Sequence, residues 1–161
     1  MSSGLNLKNK LEDMERKALV KAIRKYFDLE ELVCDHTAAR KDVNPWNLLD
    51  SRYLECLLVI RRDILKRPMY CNDRNHRQRG LRCNLCPLVH DSKKIYQTQH
   101  LFGKAGDFTV VGMSAETARQ LIVANADLLP YKIRLEANVG WLHIDVMDME
   151  EHDEKVYVFN G

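Results

Sequence analysis

The apolar positions of this chain change their period along its length. Between residues 5 and 27 they recur at helical spacing, at Leu7, Leu11, Met14, Ala18, Ala22 and Tyr26, with charges between them. That spacing predicts an amphipathic helix, followed by a short helical turn over 28–33. Asn44-Pro45 breaks the pattern, and Asp50 is a good N-cap for the next helix. Leu54, Leu57, Leu58 and Leu65 form its apolar stripe, with Cys56 in the same core pattern. Pro68 closes it, and Met69 to Asn72 read as a short strand. Residues 73–99 lack periodicity. A later helix is predicted from Ser114, its cap, to about Asn125, with Leu121 and Ile122 turned to the core.

The period then shortens to two. Strands are expected over Asp107–Val111, Tyr131–Glu136, Gly140–Met147 and Lys155–Phe159, with the acidic stretch Asp148–Glu154 joining the last two as a hairpin. In the third of these, Leu142, Ile144 and Val146 share one face. Trp141, His143 and Asp145 share the other. The pattern therefore predicts one α+β domain over 1–161: N-terminal helices, including a helical segment over 1–30, packed on a small antiparallel sheet. Its 161 residues suffice for one sizeable core.

Two segments carry chemistry. Thr98-Gln-His100-Leu-Phe-Gly103-Lys-Ala105-Gly-Asp107 and Trp141-Leu-His143-Ile-Asp145 offer two imidazoles and a carboxylate. A catalytic zinc takes three such protein ligands and leaves a fourth position for water. His100, Asp107 and His143 fit that count. Gly103 and the small Ala105 allow a close turn between the first two. Asp145 is suited to orienting His143 through its second ring nitrogen.

The order His-x-x-Gly-x-Ala-x-Asp, then Trp-x-His-x-Asp, resembles the zinc D-Ala-D-Ala carboxypeptidase family and its phage endolysin-type peptidases. That family is related in fold to the hedgehog signalling domain and the lysostaphin-type endopeptidases. The resemblance extends over the chain after about residue 30. It takes in Trp46-Asn-Leu-Leu-Asp50, Arg79-Gly-Leu-Arg-Cys-Asn84 and Leu128-Leu-Pro-Tyr131. It implies a catalytic Zn2+ on His100, Asp107 and His143, hydrolysis of peptide bonds in peptidoglycan, and an upstream arginine, Arg79 or Arg82, that grips a substrate carboxylate. Thr98 stands where relatives often carry a serine beside the site.

One departure bears on catalysis. Relatives place a Glu three residues before the second zinc histidine, or a His two before it; here Gly140 and Trp141 stand there. A metallopeptidase needs a proton acceptor near the attacking water. Glu136 and Asp145 are the two candidates. The glycine also supports an alternative, a catalytically inactive zinc-binding module with a structural or partner-binding role.

The five cysteines, Cys34, Cys56, Cys71, Cys83 and Cys86, raise a second metal question. Cys83-Asn-Leu-Cys86 is half of a structural zinc site. Cys71 with His90, or Cys34 with His36, can complete it. A redox pair and ordinary buried thiols are the alternatives. A metal tie suits the long irregular stretch over 73–99.

Charge adds little to this picture. Twenty-five basic and 23 acidic side chains leave a net charge of +2, so no overall basic surface argues for nucleic acid. No apolar run reaches the ~20 residues of a membrane helix. The N-terminus has no signal-peptide pattern, so a chain made in the cytoplasm is expected. An enzyme of this kind then acts on the cell wall only after release. Oligomeric state is not readable from the sequence.

Overall fold

The computed structural model describes residues 2–161, with side chains from residue 12 onward, so Leu7 and Leu11 lie outside the described side chains. Helix α1 spans Ser2–Ile23. Of the expected stripe, Ala22 and Tyr26 pack against the core, whereas Met14 and Ala18 are exposed. The contacts come from Leu19, Val20, Ala22, Ile23 and the following Tyr26 and Phe27, where the helix meets the core. Arg16 adds hydrogen bonds to the carbonyls of Trp46 and Leu49, both at 2.6 Å.

Short helices α2 (Leu29–Leu32) and α3 (Asp35–Ala38) follow. Helix α4 (Ser51–Val59) starts at Asp50, whose carboxylate accepts from the Arg52 amide at 2.8 Å. It runs on as a π-helical turn over Ile60–Leu65 and stops at Lys66, which is left-handed at φ 53°, just ahead of Pro68. The stripe Leu54, Leu57, Leu58, Leu65 is buried as expected, and Cys56 with it. After strand β1 (Met69–Tyr70), the segment to residue 98 holds only one short helix, α5 (Pro87–His90). Helix α6 (Ala115–Ala124) is capped by Ser114. Ile122 is buried, but Leu121 is exposed, because one apolar stripe suffices for a helix lying on the sheet.

The sheet is five-stranded, in the order β1-β2-β4-β3-β5, with β2 Ala105–Val110, β3 Ile133–Ala137, β4 Leu142–Asp145 and β5 Val156–Asn160. It is mixed rather than antiparallel. β5 lies parallel to β3, with Ile133 opposite Val156, so the acidic stretch is a crossover and not a hairpin turn. β4 is already paired on both edges, with β2 and β3, and cannot accept β5. One cluster of apolar residues joins α1, α4, α6 and the inner sheet face, with Leu142, Ile144 and Val146 within it.

Candidate metal centre

Antiparallel pairing sets Asp107 on β2 directly opposite His143 on β4. Both side chains project from the sheet face away from the core, as the period-two pattern of β4 required. His100 comes from the helical turn Gln99–Phe102 just before β2. That turn ends at Gly103, whose φ is +66°; a Cβ there would lie 2.0 Å from the Leu48 carbonyl oxygen. Only glycine combines that backbone with that approach, so Gly103 sets the distance between His100 and Asp107.

The two imidazoles are aimed from behind. His100 Nδ1 lies 2.9 Å from the Gly80 carbonyl oxygen, which leaves Nε2 turned inward, 3.4 Å from Asp107 Oδ2. His143 Nδ1 lies 2.7 Å from Asp107 Oδ1, and its Nε2 lies 2.8 Å from Asp145 Oδ2. His100, Asp107 and His143 each offer one donor atom, all within 4.8 Å of one another. Donors about 2 Å from a shared tetrahedral ion stand a little over 3 Å apart. The 3.4 Å between His100 Nε2 and Asp107 Oδ2 has that size, whereas the 2.7 Å between His143 Nδ1 and Asp107 Oδ1 is a hydrogen-bond distance that a bound cation would widen; the three residues can hold a divalent cation beside the cavity.

Asp145 lies behind His143, not in front of it. Buried, it takes a bidentate contact from Arg134 at 2.8 and 2.9 Å while holding His143 Nε2. A carboxylate so committed positions the imidazole and is poorly placed to serve as a base. Arg134, on β3 opposite Asp145, was not singled out in the sequence. Its alternation with buried Ile133 and Leu135 places it on the site face, and that alternation was the available signal. Its guanidinium also stacks 4.7 Å above the Phe159 ring.

The two arginine candidates separate. Arg82 donates to Asp107 Oδ2 at 3.2 Å, to the Tyr96 hydroxyl and to the Gln78 carbonyl, and it borders the cavity. Arg79 points away to Thr109 Oγ1 at 2.9 Å. Its side chain is outside the site, although its carbonyl accepts the Asp107 amide at 3.0 Å.

Burial disfavours the charged form of His143, but its hydrogen bonds to Asp107 and Asp145 outweigh that and raise its pKa to about 9. Burial likewise opposes ionised Asp107, yet hydrogen bonds from His100 and His143 hold it far below the usual carboxylate range. Asp145 is also lowered: burial opposes its charge, and His143 and Arg134 overcome that.

A cavity of about 450 Å3 opens over these groups, lined among others by Arg82, Thr98, Glu136, Trp141 and Phe159. Glu136 is thus at the site, on β3, as the sequence allowed. The Thr98 hydroxyl is buried there without a hydrogen-bond partner.

The cysteines resolve differently from the first of the two sequence alternatives. Cys34, His36, Cys83 and Cys86 converge, with donor atoms within 4.8 Å of one another. Cys71 is fully buried in the core, and burial pushes its thiol well up. His90 is exposed and faces Asp91 at 2.9 Å. Neither belongs to the group around the Cys-x-x-Cys pair: His90, at the end of α5, is exposed, and Cys71, just after β1, is packed into the core. All five cysteines are free thiols. Among the described residues no helix is long and apolar enough to cross a membrane. Comparison of the chain with family models, with curated proteins and with solved structures found no match.

Proposed function

We propose that this protein is a zinc-dependent peptidase acting on the peptides of bacterial peptidoglycan. The observation that carries the reading is the convergence of His100 Nε2, Asp107 and His143 Nδ1 under an open cavity, in the order in which the resembling carboxypeptidases carry their ligands. A bound zinc ion supplies Lewis acidity toward a scissile carbonyl and toward an attacking water. The chain's own residues do the rest. Gly80 and Asp145 fix the ring orientations of His100 and His143. Arg82, charged and bordering the cavity, is placed to attract a substrate carboxylate or a developing oxyanion. Glu136 takes the proton of the attacking water and returns it to the leaving amine.

The assignment of Glu136 is testable. Glu136→Gln is expected to lower kcat by about 100-fold or more, with zinc content unchanged. The assay is release of peptide or D-amino acid from a panel of peptidoglycans. A zinc-loaded wild type that releases nothing overturns the peptidase reading.

A second reading, a zinc-binding module without hydrolysis, is favoured by Gly140. Glycine has no side chain to accept a proton, so the acid that the resembling enzymes carry at this position has no counterpart at residue 140. Zinc bound at His143 with no cleavage of any peptidoglycan is the outcome that selects it.

A further inference from the structure

A second cluster stands apart from the candidate catalytic centre. Cys83 Sγ lies 3.6 Å from His36 Nδ1 and 3.9 Å from Cys86 Sγ, and Cys86 Sγ lies 4.0 Å from His36 Nδ1. Sulfur ligands about 2.3 Å and nitrogen ligands about 2.0–2.1 Å from one tetrahedral zinc give edges of roughly 3.8 Å between sulfurs and 3.6 Å between sulfur and nitrogen. The observed separations match that polyhedron to within about half an ångström. The fourth donor, Cys34, is buried, and its sulfur is also 3.2 Å from the Thr37 hydroxyl.

The turn at the cysteine pair brings one backbone amide to a sulfur. The Cys83 amide points at Cys86 Sγ at 3.4 Å, and the Cys86 amide donates to the Cys83 carbonyl at 3.1 Å, closing the turn. A dithiol redox pair requires two sulfurs and gives no reason for an imidazole and a third thiol from another segment to converge on them. Four donors with no open position are the mark of a structural zinc site, whereas the His100 centre has three donors and a cavity.

The position of the cluster gives it a task. Residues 79–82 form a strap between the two sites. At one end, the Leu81 amide donates to the Leu32 carbonyl and the Cys34 amide to the Leu81 carbonyl, both at 2.9 Å. Gly80 is pressed so close that a Cβ would lie 2.2 Å from the Leu32 carbonyl oxygen. At the other end, Gly80 supplies the carbonyl that orients His100, Arg79 the carbonyl that holds the Asp107 amide, and Arg82 the ion pair to Asp107.

We propose that Cys34, His36, Cys83 and Cys86 bind a structural Zn2+ that locks this strap onto the α2–α3 segment and so sets the geometry of the His100–Asp107–His143 centre. The proposal rests on ligand geometry and not on hydrolysis, so it stands or falls separately from the peptidase reading.

The experiment is metal counting on the full chain, with cobalt as a spectroscopic probe. Wild type is expected to hold two zinc ions, and Cys86→Ser and His143→Ala one each. Cobalt-loaded wild type should show a thiolate-to-cobalt charge-transfer band that persists in His143→Ala and disappears in Cys86→Ser. Cys86→Ser should also bind its remaining zinc at least ten-fold more weakly than wild type binds at the His143 site. Should Cys86→Ser fail to fold, mercurial titration of wild type serves instead, and should release one of two zinc ions as three thiols react. Two zinc ions retained in Cys86→Ser, a cobalt spectrum without a thiolate band, or thiol modification that releases no zinc overturns the site. Unchanged zinc affinity at the His143 centre in folded Cys86→Ser overturns its role as organiser.

Discussion

At the scale of single residues, His143 is the most informative group. Both its ring nitrogens face carboxylate oxygens, at 2.7 and 2.8 Å, so the metal-free imidazole holds two protons and carries a positive charge. Its pKa of about 9 lies above the value of about 6.5 expected in the unfolded chain. A raised folded pKa contributes stability that is complete below the unfolded value and is lost as pH rises through the folded one. In excess chelator, the protein is therefore expected to lose up to roughly 3 kcal/mol between about pH 6.5 and 9. Asp107 and Asp145, both lowered, act in the opposite direction, and their contribution is lost as pH falls into the acid range. Calorimetric Tm across pH checks this. The alkaline loss should shrink in Asp145→Asn, and an equal loss in that variant would count against the assignment. Metal competes with the same proton, so zinc affinity should weaken as pH falls below about 9.

At the scale of elements, the centre is built from one strand pair and one tight turn. β4 holds its ligand rigidly because it is hydrogen-bonded on both edges and packed through Leu142 and Ile144. The turn before β2 is the vulnerable part. Gly103→Ala meets both a left-handed φ of +66° and a 2.0 Å approach to the Leu48 carbonyl oxygen. A cost of at least about 1–3 kcal/mol is expected, with weakened zinc binding as His100 shifts. Denaturant unfolding and zinc competition with a chromophoric chelator measure the two effects; wild-type values for both would show that the turn is not needed. Helix α6 contributes less visibly. Its buried Arg119 donates to the carbonyls of Glu136, Val139 and Trp141, and so fastens the turn that leads into β4.

At the scale of the whole molecule, the sheet is best supported at β4 and least supported at the β1 edge. β4 has paired edges and a packed face, whereas β1 pairs only with β2, over two residues. Amides of Leu142–Asp145 should exchange last and those of β1 early, by native-state hydrogen exchange. Uniform protection across the sheet would contradict this. The helical side contributes through α1 and α4, which meet the same core. The irregular strap gains its order from both sides at once, through Leu81 on α2 and through His100 on the turn.

The sequence by itself determined what local periodicity and spacing can encode. Alternation in 141–146 sorted His143 and Asp145 from Leu142, Ile144 and Val146. Asp50 and Ser114 marked helix starts through short-range capping, and Gly103 marked the tight turn between His100 and Asp107. Those features depend on neighbours within a few residues. Only the tertiary structure decided matters that depend on which distant segments meet. It chose Cys34 and His36 over Cys71 and His90, because the backbone of 32–34 pairs with Leu81 while Cys71 is packed into the core. It separated Arg82 from Arg79, three residues apart in a strap without a regular period. It turned an expected hairpin into a crossover that carries β5 past β3, because β4 had no free edge. It also placed Arg134 behind Asp145, through a cross-strand register that no single segment contains.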